Sequence, residues 1–173
     1  MIKLSDREIY QYFHRSYTAV DGLWFIKVEE NLGFDKALDI DDEVWKVMPK
    51  IQARFLKSKL YKNKRDLKNE RSLGALFECF TTKLKIEGFN FKTSITKNNP
   101  ESFMVIIKEC PWHNTMIKSS RAALSEKIGT RICSTEYRVW AEEFGENIQF
   151  ELKDQICGGS KNCILEFYAK SLI

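Results

Sequence analysis

Residues 89–108 read FNFKTSITKNNPESFMVIIK, and this stretch decides the fold. From Phe89 to Thr96 an apolar or β-branched residue falls at every second position (Phe89, Phe91, Thr93, Ile95), the period of a half-buried strand. Lys97-Asn98-Asn99-Pro100 is turn chemistry, and Phe103 to Lys108 (FMVIIK) is apolar enough for a largely buried strand. Two strands joined by so short a loop form an antiparallel hairpin. A second pair lies near the C-terminus, Asn147 to Leu152 and Ile164 to Ala169, with CGGSKN between them.

Working backward, Ser72 caps a helix from Leu73 to about Ile86 with Leu76, Phe77, Phe80 and Leu84 inward and Cys79 alongside. Ser5 and Glu8 have the spacing of a capping box. Beyond them Ile9, Tyr12, Phe13, Tyr17, Val20, Trp24 and Val28 recur at helical spacing, and Gly33 is a stop. That predicts a first helix from about Asp6 to Leu32, in which Gly22 marks a close approach to the backbone or a break. After a short turn or helix at Asp35–Leu38, Asp39, Asp41 and Asp42 supply an acidic start to the next helix. Its buried stripe is Val44, Trp45, Met48, Ile51, Phe55 and Leu60, with a kink at Pro49. Lys62 to Arg71 is polar and reads as a loop or frayed end.

Forward from the hairpin, Pro111 suits the first position of a helix, which Gly129 closes. Thr130 or Ser134 caps a further helix carrying Tyr137, Val139, Trp140 and Phe144. The expected class is α+β: N-terminal helices, then an antiparallel sheet of two hairpins with helices inserted between them. Residues 1–71 form the helical region and 72–173 the α+β domain, together one compact unit.

Composition narrows the function classes. The chain has 173 residues, 43% hydrophobic and 13% aromatic, with net charge +4. That is ample for a core and excludes a disordered chain. The basic excess sits in KSKLYKNKRDLKNER (57–71), a solvated helix end or linker. Only Tyr61 interleaves with it, which argues against a nucleic-acid stacking platform. No apolar window approaches the roughly 18–20 residues of a membrane span, and MIKLSDREIYQY lacks a secretory core and cleavage site. A cytoplasmic protein without nucleic-acid or membrane partners is expected, in a compartment where cysteines stay reduced.

Four of the five cysteines and one of the two histidines lie between Cys110 and Cys163. Thiolate and imidazole are the ligands zinc and related divalent transition metals favour, and a tetrahedral site takes four. Cys110, His113, Cys133, Cys157 and Cys163 are five candidates for those places, with buried apolar cysteines as the alternative. Cys110 and Cys133 each stand at the start of a helix, a position that favours the thiolate, and Glu136 follows Cys133 by three residues. Gly158-Gly159 makes the Cys157–Cys163 turn pliable. Asp21 and Glu29, two turns apart around Trp24, offer a pair of carboxylates to a cationic or amide-bearing ligand. No GxGxxG or GxxxxGK[ST] supports nucleotide binding.

ICSTEYRVWAEEFG (132–145), FELKDQICGGSKNC (150–163) and ILEFYAK (164–170) resemble the 4-vinyl-reductase-type, hydrocarbon-binding domain. The phenol sensors of that family bind a structural zinc. The resemblance places its ligands at Cys133, Asp154, Cys157 and Cys163. The acid here is Asp rather than Glu and the loop is shorter, so Cys110 or His113 can take the fourth place. DGLWF (21–25) and ECPWH (109–113) resemble an uncharacterised family related to L-2-amino-thiazoline-4-carboxylate hydrolase. That similarity implies ring opening of a small sulfur- or nitrogen-containing acid by Cys110 or a metal-bound hydroxide, with Glu136 or His113 as base.

The expectation is a protein that binds a small organic ligand beside a zinc site. A ring-opening hydrolase, or a ligand or redox sensor acting through a partner, are its alternatives. The two sheet edges leave room for a homodimer.

Overall fold

Ser5 opens the chain's first helix, α1 (Asp6–Leu32), through a complete capping box: its side chain accepts from the Glu8 amide while Glu8 accepts from the Ser5 backbone. Gly33 ends it at φ +83°, a left-handed conformation that costs glycine nothing, and its N–H donates to the Glu29 carbonyl. At Gly22 an added Cβ would meet no described atom within 4 Å, and the helix runs on unbroken. The expected close approach or break is absent there.

The computed structural model describes residues 2–62, 72–95 and 102–170. The expected polar loop from residue 63 to 71 and the turn at Lys97–Pro100 lie outside them. By contacts the chain divides into Met1–Glu43 and Val44–Ile173.

The first unit holds α1 and most of α2 (Phe34–Trp45), with Phe25 and Phe34 in edge-to-face contact at 6.0 Å. No residue of α1 is buried. The spacing of its apolar residues makes a helix, but Ile9, Tyr12, Phe13, Val20, Leu23 and Trp24 are exposed.

In the second unit, α3 (Met48–Lys62) follows a turn at Lys46-Val47. Pro49 therefore stands in the first turn of a new helix, where its missing N–H costs no ladder bond, rather than kinking a continuous one. Restarting the helix resets its phase. Ala53 is buried and Leu56 and Leu60 pack on the core, whereas Ile51 and Phe55, expected inside, are exposed. Arg54 grips Glu143 with two bonds (3.0 and 2.9 Å), and Lys57 Nζ donates to the Glu143 carbonyl, tying α3 to the C-terminal end of the helix Ala122–Glu142.

Among the described residues, four helices and four strands follow α2 in this unit. They are α3, α4 (Leu73–Ile86), β1 (Asn90–Ile95), β2 (Ser102–Glu109), α5 (Pro111–Lys118), α6 (Ala122–Glu142), β3 (Ile148–Asp154) and β4 (Cys163–Ala169). The sheet is antiparallel throughout in the order β1-β2-β4-β3. Each hairpin pairs internally, and β2 joins β4 with Phe103 opposite Phe167 and Val105 opposite Leu165. The period-2 alternation puts those four residues on the face that meets α4 and α6. Phe80 of α4 lies at the centre, its ring against Tyr137, Trp140 and Phe167 at 5.4, 5.7 and 4.9 Å. The expected α+β class with N-terminal helices stands.

Several helix boundaries do not: Asp39, Asp41 and Asp42 lie inside α2 instead of opening a helix, and the helix begun at Pro111 ends at Lys118. α6 runs straight through Gly129 to Glu142, so Cys133 lies in mid-helix and opens nothing. Gly129 serves packing instead: a Cβ there would sit 2.6 Å from the Cys157 sulfur.

Candidate functional site

Two helices cross the inner face of the sheet and bring together the groups on which the chemistry was expected to rest. From α6 come Cys133, Glu136, Tyr137 and Trp140, spaced three and four apart and so on one side of the helix. From α4 comes Lys83, one residue from the buried Leu84 and three from Phe80.

Lys83 is only 3% exposed. Its ammonium is paired with Glu136, also buried, and with Glu87 at 2.9 Å. It also lies near the rings of Phe80, Phe89 and Tyr137, at 5.9, 5.6 and 5.4 Å from their centroids. Burial alone would pull its pKa down. The two carboxylates outweigh that and hold it above the usual lysine value. Glu136, for which the sequence suggests a base, is thus a buried counter-ion with its charge already matched. Lys83 itself went unnoticed in the sequence. The signal available was its place on the apolar stripe Leu76, Phe80, Leu84.

Cys110 caps α5, its sulfur accepting from the His113 amide at 3.5 Å. Cys163 begins β4 and accepts from the Ile156 amide at 3.3 Å, where a 3-10 turn (Ile156–Gly158) carries Cys157 over Gly129. Cys133, Cys110, Cys157 and Cys163 all lie within electrostatic reach of one another. The structure therefore gathers these four thiols, and all are free. His113 turns elsewhere: its Nδ1 is 2.8 Å from Ser125 Oγ.

Gathering is not coordination. Among the described residues, no group of three or more His, Cys, Asp or Glu side chains is placed to hold a metal ion. The expected zinc-bearing small-molecule site is overturned on that ground, and the hydrolase and sensor readings fall with it.

The helix-start argument for reactive thiolates also fails. Burial pushes the Cys110 thiol up despite backbone N–H bonds from His113 and Trp112. Burial, then Glu136, lifts Cys133 well above its ordinary value, and burial raises Cys163 to about 11. At neutral pH these are protonated, weakly nucleophilic side chains.

Beside the 3-10 turn, Thr130, Ser134, Asp154, Gln155 and Ser160 line a polar depression of about 250 Å³. Small-molecule sites run to about 300–1,000 Å³ and are mostly apolar. The polar groups here bond one another, Thr130 to Gln155 at 3.0 Å and Ser160 to Asp154 at 3.3 Å.

On α1, Asp21 and Glu29 are half-buried and Trp24 is 64% exposed. Burial raises the Asp21 carboxyl to about 6. With the folded value above the unfolded 3.8, the folded chain holds the proton more tightly. Stability is then greatest below 3.8 and is lost as the pH rises through about 6. Asp21→Asn should therefore stabilise the protein by about 1–2 kcal/mol at neutral pH. Urea midpoints of the two proteins should converge as the pH is lowered toward 4.

Among the described residues no helix is long and apolar enough to cross a membrane. A family model matches residues 3–167 of the chain. None of the curated proteins compared with it matches.

Proposed function

We propose that this chain, which belongs to the family of unknown function DUF6125, works through protein–protein assembly, with α1 docking on the α1 of a second copy. The observation that carries the reading is the stripe Ile9, Tyr12, Phe13, Val20, Leu23 and Trp24. Phe13, Val20 and Trp24 are each about two-thirds exposed (65%, 66% and 64%).

Large aromatic side chains bring about 150–250 Å² apiece. At these exposures the stripe offers on the order of several hundred Å². That is the scale of the ~800 Å² each partner contributes to a specific complex, and monomers seldom expose so much in one patch. Charge argues against a lipid surface as the occupant. α1 carries Arg7, Arg15 and Lys27 against Asp6, Glu8, Asp21, Glu29 and Glu30, the wrong balance for anionic headgroups. A self-complementary surface needs no second gene product and closes on itself by a two-fold axis.

Val20→Glu places a charge in the middle of the stripe at a position that is not buried. Sedimentation equilibrium should return a dimer for the wild type and a monomer for the variant, and the variant should still unfold cooperatively, at a melting temperature that does not depend on concentration. A wild type that stays monomeric into the high micromolar range would sink the proposal.

A further inference from the structure

Resting on that assembly reading, we infer that the two α1 helices pair antiparallel, with the two-fold axis passing beside Ser16 and Tyr17. Along one side of α1 the residues Asp6, Ile9, Phe13, Ser16, Val20, Leu23 and Lys27 follow at alternating steps of three and four, all exposed except the half-buried Ser16. That 3.5-residue average keeps one seam facing a partner helix. The seam is symmetric in kind about its middle. A small side chain, Ser16, stands at the centre and allows close approach. Apolar residues flank it on both sides, an acid terminates it at the N-terminal end, and a base terminates it at the C-terminal end.

The two ends choose the direction. A parallel pair would set Asp6 against Asp6 and Lys27 against Lys27. Two like-charge contacts would then bracket the apolar seam. An antiparallel pair sets Asp6 of each copy against Lys27 of the other, Phe13 against Val20, and Ile9 against Leu23 and Trp24. It also opposes the two helix dipoles. Lys27 pairs within its own helix with Glu30 at 2.7 Å, an exposed contact weak enough to be shared or exchanged. Asp6 and Lys27 lie some 30 Å apart along one helix, at about 1.5 Å per residue. Any coupling between them must therefore pass between chains.

That separation makes a charge swap decisive. Asp6→Lys and Lys27→Asp, made singly in the full chain, should each weaken the dimer about tenfold by sedimentation equilibrium, because a two-fold dimer carries every change twice. The double variant should return to near the wild-type affinity. It contains the same Asp6→Lys change at the start of the helix, so its recovery separates a lost contact from a helix that no longer forms. Far-UV circular dichroism checks the helix directly. If Val20→Glu breaks the dimer but the two charge effects simply add, the antiparallel register is overturned and the assembly reading stands. If the wild type is monomeric, or dimeric but indifferent to Val20→Glu, the assembly reading falls and the register falls with it.

Discussion

Lys83→Met lowers the unfolding free energy by about 3–5 kcal/mol, because it removes the buried ammonium that Glu136 and Glu87 share. Methionine fills much of the lysine stem's volume, so the loss measures charge rather than a cavity. The comparison that makes the case is Lys83→Met combined with Glu136→Gln, which removes the uncompensated buried charge and should recover a substantial part of the loss. Guanidinium midpoints at constant slope are the measurement. A single variant within about 1 kcal/mol of wild type would mean that the buried pair contributes little beyond its packing. The sign of the pH dependence follows from the raised lysine. Its contribution is complete below the free value of 10.5 and lost only as the pH climbs through the higher folded value. Between pH 6 and 9 the ion pair should leave no trace in a titration of stability, whereas the Asp21 contribution changes at lower pH, between 3.8 and about 6.

Phe80→Ala should cost a comparable 3–5 kcal/mol by a different route. Phe80 has no exposed surface, and its ring touches α6 through Tyr137 and Trp140 and the sheet through Phe167. Truncation opens a cavity where three layers meet, and the stacked pairs Phe103–Phe167 and Trp140–Phe144 restrict its collapse. Phe80→Leu, which keeps most of the volume, should lose well under half as much. Equal losses for the two variants would indicate that the rings, not the filled space, hold the layers together. Near Phe80 the indole Nε1 of Trp140 goes unpaired, one of two buried side-chain polar atoms, with Gln52 Oε1, that have no hydrogen-bond partner among the described residues.

Local signals in the sequence were legible where the chain itself satisfies them. Ser5 and Glu8 announce a cap that needs nothing outside its own turn, and α1 runs between the ends they and Gly33 define. The alternation in Phe89–Ile95 and Phe103–Lys108 marks strands for the same reason. What failed were particular inferences that depended on a distant neighbour. Gly129 looks like a stop because glycine costs a helix about 1 kcal/mol. It is tolerated because Cys157, 28 residues on, needs the space its missing Cβ leaves. Lys83 looks solvated until Glu136 arrives from another helix. Four of the thiols come within electrostatic reach of one another, yet spacing along the chain says nothing about whether sulfurs converge on a point or line a packed wall. The apolar residues of α1 were taken as evidence of a helix, and periodicity alone does not say whether such a face is covered.

The strand order also sets a sequence of events. Both hairpins, β1–β2 and β3–β4, join neighbours in the chain, but the sheet is closed only when β2 finds β4, with Ile107 opposite Cys163. That pairing spans α5, α6 and the whole second hairpin. Closing so long a segment is entropically costly before any contact repays it. The hairpins and α6 should therefore form early and the central seam late. Substitutions at Val105 or Leu165 would then mainly slow the folding arm of a chevron if the seam is made in the transition state, and mainly speed the unfolding arm if it is made afterward. A protein whose two halves are each stitched locally and joined last spends its slowest moment with the β2 and β4 edges both open.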